Sequence, residues 1–178
     1  MKPNIALVGM MGAGKTTIGR LLSQALNMGF FDIDAEIEHE QNMTIAKIFE
    51  FFGEEYFRAL EHEMCKKIPQ MSGMIISTGG GIVLNTENIA LLRQSCAIIY
   101  LSATAETLRS RIEASSSLRP LLIEDSSSVG QILEARWDKY EAATDHTIIT
   151  NGKKEDEICA EIIDFIGGWA DFGRLQGR

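Results

Sequence analysis

The chain lacks what several protein classes require. Its three cysteines, Cys65, Cys96 and Cys159, are odd in number, far apart and in no C-x-x-C pair. That excludes a disulfide framework or a cysteine zinc site and reads as buried small hydrophobes in a reducing compartment. His39, His62 and His146 each stand alone, so no metal cage is visible. Basic residues are outnumbered 17 to 25, a net charge of −8. Sequence-independent nucleic-acid binding needs clustered Lys and Arg, and is therefore not expected. The longest uncharged stretch, Ile68–Thr86, contains Pro69, Gln70, four glycines and Asn85, which is no membrane span. Ile5–Ala13 after Lys2 superficially resembles a signal peptide, but it is short and has no small-residue cleavage site. There are no repeats, and no low complexity beyond the serines of 115–128. The expectation is one cytoplasmic domain of 178 residues.

What is present alternates short apolar strands with amphipathic helices. Strands are expected at Asn4–Val8, Phe30–Asp34, Met74–Ser77, Ala97–Leu101 and His146–Thr150. Between them, Ile18, Leu21, Leu22, Ala25 and Leu26 keep helical spacing, with Gly29 ending that helix. Ile45, Ile48, Phe49 and Phe52 form a second stripe, capped by Thr44 and broken at Gly53; a further helix carries Phe57, Leu60, Met64 and Ile68. Helices also fit Glu87–Gln94, Glu106–Ala114, Val129–Ala143 and the Ile158–Ile166 stripe. Strands without polar alternation are covered on both faces, which means a parallel sheet between helical layers. Ser115–Ser128 reads as a mobile loop, and Gly167–Arg178 as a loosely held extension.

Gly9-Met10-Met11-Gly12-Ala13-Gly14-Lys15-Thr16 matches G-x-x-x-x-G-K-[ST], with a buried strand entering it and a helix leaving it. Its glycines let backbone N–H groups surround a phosphate, and the helix N-terminus adds its dipole. Gly12, Ala13, Gly14, Lys15, Thr16 and Thr17 are thus assigned to ATP: Lys15 to the β- and γ-phosphates, Thr16 to Mg²⁺. The guanine-reading N-K-x-D motif is absent; Asn151-Gly152-Lys153-Lys154 lacks the acid, which disfavours a GTPase switch.

Other residues suggest an acceptor. If Asp32 and Asp34 both lie on an extended segment, they share one face, one for Mg²⁺ through water and one for a hydroxyl nucleophile; the alternative is a pair of helix-starting acids. Thr78-Gly79-Gly80-Gly81 follows a strand at the sheet end where α/β folds bind ligands. Arg58 with Glu61 (i, i+3), and Arg136 in Arg136-Trp137-Asp138-Lys139-Tyr140, are by spacing alone helix-surface groups. Arg119-Pro120 lies in the serine-rich loop, where an arginine can close over phosphates.

Taken in order, GMMGAGKTTIGR, DIDAEIE, IFEFFGEEYFRALE, STGGGIV, LRPLL and RWDKY resemble shikimate kinases over about residues 5–165. The resemblance implies a P-loop kinase fold, α/β/α, with a five-stranded parallel sheet, a helical substrate-binding segment at about 32–70 and a lid at about 112–126, all in one kinase domain spanning 1–178. It implies transfer from ATP to shikimate with Mg²⁺. Asp34 would bind the attacking hydroxyl, Arg58 and Arg136 the carboxylate, and Gly79, Gly80 and Gly81 the ring hydroxyls. Asp32 would sit in the metal's water shell. Lys15, Asp34 and Arg119 would be the catalytic set, with Arg111 preferred over Arg109 at the adenine and 151–153 a loose match there. A monomer is expected, with no nucleic-acid or membrane partner. Gluconate kinase and a nucleotide-dependent binding module are the competing readings.

Overall fold

The computed structural model describes residues 4–114 and 128–176, with side chains as far as 168. Five strands form one parallel sheet: β1 (Asn4–Val8), β2 (Gly29–Asp32), β3 (Met74–Ser77), β4 (Cys96–Ser102) and β5 (His146–Ile149), in the order β2-β3-β1-β4-β5. Among the described residues seven α-helices cover it: α1 (Lys15–Leu26), α2 (Ile33–Gln41), α3 (Ile45–Lys67), α4 (Thr86–Arg93), α5 (Ala105–Ala114), α6 (Ser128–Ala143) and α7 (Glu155–Gln176).

The pleat of the central strand divides the core. Ala6 and Val8 of β1 face a cluster with Ile33, Phe57, Met64 and Tyr140, while Ile5 and Leu7 face Ile18, Leu22, Leu108 and Ile162. Successive side chains of a strand point to opposite faces, so a strand wholly apolar on both sides requires two helical layers. Each fully buried aliphatic side chain contributes about 1.5–3 kcal/mol of transfer free energy. All three cysteines are buried within these clusters.

Three local expectations are corrected. The second strand stops at Asp32, whose carboxylate caps α2 by accepting from the Ala35 N–H at 3.3 Å. Asp34 therefore sits in the first helical turn, and the two acids do not alternate along one extended face. Ile33 and Ile37, one turn apart and fully buried, explain the short helix. Helix α1 ends at Asn27 in a left-handed conformation rather than at Gly29, which opens β2. Finally, α7 continues through Gly167 and Gly168 to Gln176, where a loose tail was expected. The expected break at Gly53 is present as a kink (φ 81°, ψ 176°) inside α3, and Thr44 caps that helix. The lid segment, including Arg119, lies almost wholly outside the described residues. Among the described residues no helix is long and apolar enough to cross a membrane.

Candidate active site

Adjacent strands β1 and β3 deliver the two halves of the site. Leu7 pairs with Ser77, so the two chains leave the sheet level with each other. After β1 the chain forms the phosphate loop, with Gly12 at φ 79°. A Cβ there would lie 2.9 Å from Ile112 and 3.0 Å from the Leu108 carbonyl, so both the conformation and the packing require glycine. Lys15 is nearly buried, its Nζ donating to the carbonyls of Gly9 at 2.8 Å and Met10 at 2.9 Å. The ammonium is thus held by carbonyls of its own loop, at the wall of the cleft.

Thr16 Oγ1 donates to Asp32 Oδ2 at 2.8 Å and lies 3.3 Å from Ser77 Oγ. A hydroxyl beside a carboxylate is a hard oxygen donor set, and Mg²⁺ takes one or two such ligands with water and substrate phosphates completing its shell. The residues therefore fit the ion. Gly12 to Thr17, Asp32, Asp34, Ser77, Thr78, Gly80, Arg111 and Lys153 line a cleft of about 670 Å³, within the range of cofactor sites. At its edge Arg111 donates to Thr150 Oγ1 and to the Thr150 carbonyl, both at 3.0 Å. Arg109 and Asn151 are not among the lining residues; Asn151 instead ties Thr104 to Thr107.

A second cavity of about 180 Å³ opens beside the first. It gathers Asp34 from α2, Arg58 and Phe57 from α3, Gly79, Gly80 and Gly81 after β3, and Arg136 from α6. Met11, Asp34 and Gly80 line both spaces. One wall is apolar: the Phe49 and Phe57 rings pack 4.9 Å apart beside Ile45 and Ile132. Gly80 approaches the phosphate loop so closely that a Cβ would lie 3.1 Å from the Met11 amide nitrogen.

Arg58 is not a solvated surface group. Its Nη1 donates to Glu61 Oε2 at 3.0 Å, and its Nε and Nη2 to Glu54 Oε1 at 3.2 and 2.9 Å. Glu61 is 0% exposed and Glu54 61%, so one partner is fixed and the other is free to give way. Burial pushes the Glu61 carboxyl above its ordinary range against the pull of Arg58, and nearby Asp34 adds to the rise. Sequence spacing flagged the Arg58–Glu61 pair but not its burial. Phe49 stood only in a helical stripe, and Glu54 and Tyr140 carried no signal beyond membership of the quoted motifs.

A shikimate kinase family profile matches residues 11–167. A shikimate kinase of Dehalococcoides mccartyi is 40% identical over 165 residues, 92% of this chain and 93% of the relative. The chain belongs to the shikimate kinase family. Among solved structures, shikimate kinase from Acinetobacter baumannii in complex with shikimate superposes with a TM-score of 0.88 at 32% identity, covering 94% of each chain. A gluconokinase from Sinorhizobium meliloti shares the fold alone, at 13% identity and a TM-score of 0.64. In this chain the phosphate loop, both arginines and the three glycines lie around two adjoining cavities.

Proposed function

We propose that the protein transfers the γ-phosphoryl group of ATP to the 3-hydroxyl of shikimate, giving shikimate 3-phosphate and ADP. The observation that carries this reading is the acceptor cavity. Two arginines, one carboxylate and three glycines meet there, and the cavity shares Met11, Asp34 and Gly80 with the phosphate-loop cleft. Planar guanidinium forks suit a carboxylate, and a carboxylate with bare backbone suits hydroxyls.

Arg58 and Arg136 hold the substrate carboxylate. Asp34 accepts the hydrogen bond of the attacking hydroxyl and orients it toward the phosphate loop, while Gly79, Gly80 and Gly81 admit the ring. Lys15 leaves the loop carbonyls for the phosphates, where its charge stabilises the transferring group. Thr16 and Asp32 would hold Mg²⁺, which when bound neutralises phosphate charge. Arg119, outside the described residues, is assigned to the phosphates from the lid, and Arg111 to the adenine side. Phosphoryl transfer needs chiefly positioning and electrostatics, and this set supplies both. We further read the chain as a single kinase domain, a cytoplasmic monomer without nucleic-acid or membrane partners.

ADP release tests the function. It should rise on adding shikimate and stay at background with gluconate or AMP; equal stimulation by gluconate overturns the assignment.

A further inference from the structure

The carbonyl of Gly80 accepts two hydrogen bonds, from Tyr140 Oη at 2.5 Å and from Arg136 Nη1 at 3.1 Å. Both donors come from α6, one turn apart. A carbonyl oxygen has two lone pairs, so both are in use. Tyr140 is wholly buried, with its ring stacked on Tyr100 at 4.8 Å and 9°. Packing therefore aims its hydroxyl at Gly80, with Met10 Sδ at 3.8 Å and the Arg136 guanidinium also beside it. Burial pushes the phenol well above its ordinary range, which keeps it a donor. Gly80 itself lies between the two cavities, against the phosphate loop.

Arg136 has two competing acceptors: the Gly80 carbonyl and, on the reading above, the substrate carboxylate. A charged acceptor makes the stronger bond, and a two-armed fork on the carboxylate that uses Nη1 takes that nitrogen off the glycine. We propose that the Tyr140 hydroxyl is a positioning group for acceptor binding, keeping the Gly80 carbonyl bonded while Arg136 hands its N–H to the substrate carboxylate. This rests on the proposed role of Arg136 and adds a residue to it.

The consequence is asymmetric. In Tyr140→Phe the free enzyme keeps the Gly80 bond through Arg136, and the ring stack survives. Only in the complex does the carbonyl lose both donors, and an unsatisfied acceptor in a protein interior is costly. The loss therefore falls on shikimate affinity and not on the stability of the free enzyme.

The test compares Tyr140→Phe with Tyr100→Phe, which removes a buried hydroxyl from the other ring of the stack. For Tyr140→Phe the shikimate KM and calorimetric Kd should rise about tenfold, the scale of one lost hydrogen bond. The ATP KM, kcat and free-enzyme melting temperature should stay near wild type. Tyr100→Phe should leave shikimate affinity unchanged. In an Arg136→Ala background no guanidinium is handed over, so Tyr140→Phe should then cost nothing further in shikimate affinity. Unchanged shikimate affinity in Tyr140→Phe overturns the proposal, as does an equal loss in Tyr100→Phe, an additive loss in the double variant or a Tyr140→Phe chain that fails to fold. Failure of wild-type enzyme to turn over shikimate, or of Arg136→Ala alone to weaken it, would instead strike the underlying assignment.

Discussion

Lys15 spends the resting state bonded to two carbonyls of its own loop. Its truncation should therefore leave the fold standing and remove charge stabilisation from the transferring phosphoryl group. We expect Lys15→Ala to lower kcat roughly 10²–10³-fold with an unchanged circular dichroism spectrum; retention of a tenth of the wild-type rate would contradict this. Arg136→Lys should weaken shikimate binding by about 1–3 kcal/mol in calorimetry, because an ammonium cannot make a bidentate fork. Glu61 yields a pH signature. Its carboxyl titrates near its ordinary 4.5 when unfolded and higher when folded, chiefly because it is buried. Between those values the native state binds more protons, so stability falls as pH rises through that interval. Glu61→Gln should flatten this fall in urea midpoints measured from about pH 4 to 7; an equally steep fall would place its source elsewhere. The residue types at the site were readable because arginine, aspartate and glycine declare their chemistry in sequence. Burial did not declare itself: Glu61 has the spacing of a surface ion pair, and only the fold over Gly79 and Asp34 removes it from water.

Helix α3 shows how an element can aim a side chain. Gly53 takes φ 81° and ψ 176°, a conformation reserved for glycine, and the helix that resumes at Glu54 carries Phe57 and Arg58 to the cavity. A Cβ at Gly53 would meet nothing within 4 Å, so Gly53→Ala isolates backbone strain. It should cost about 1–3 kcal/mol in chemical denaturation and raise the shikimate KM with little change for ATP; equal damage to both substrates would mean the kink does not act through Arg58. Elements of strong period were legible, notably β1, β3, β4 and α1. Helix α2 was not, since nine residues with two buried isoleucines give a weak period and its acids looked like strand ends. The end of α7 was hidden by Gly167-Gly168, whose cost in a helix is only about 1 kcal/mol each and did not stop it.

Over the whole molecule, the cysteines report on global opening. Burial pushes the Cys65 thiol up to about 12 and the Cys96 thiol to about 11, and raises Cys159 as well. Alkylation of the native protein should therefore be slow and follow unfolding, and saturating ATP with shikimate should slow it further; fast labelling of any of the three would show local opening instead. The paired exits of β1 and β3 carry a different implication. Neighbouring strands stand about 4.8 Å apart, a spacing set by backbone hydrogen bonds and not by any side chain. Donor and acceptor platforms are thus mounted on a ruler that point mutation does not recalibrate. A redesign for another acceptor acid would therefore begin with α2, α3 and α6, which supply the side chains, and inherit its transfer distance from the sheet.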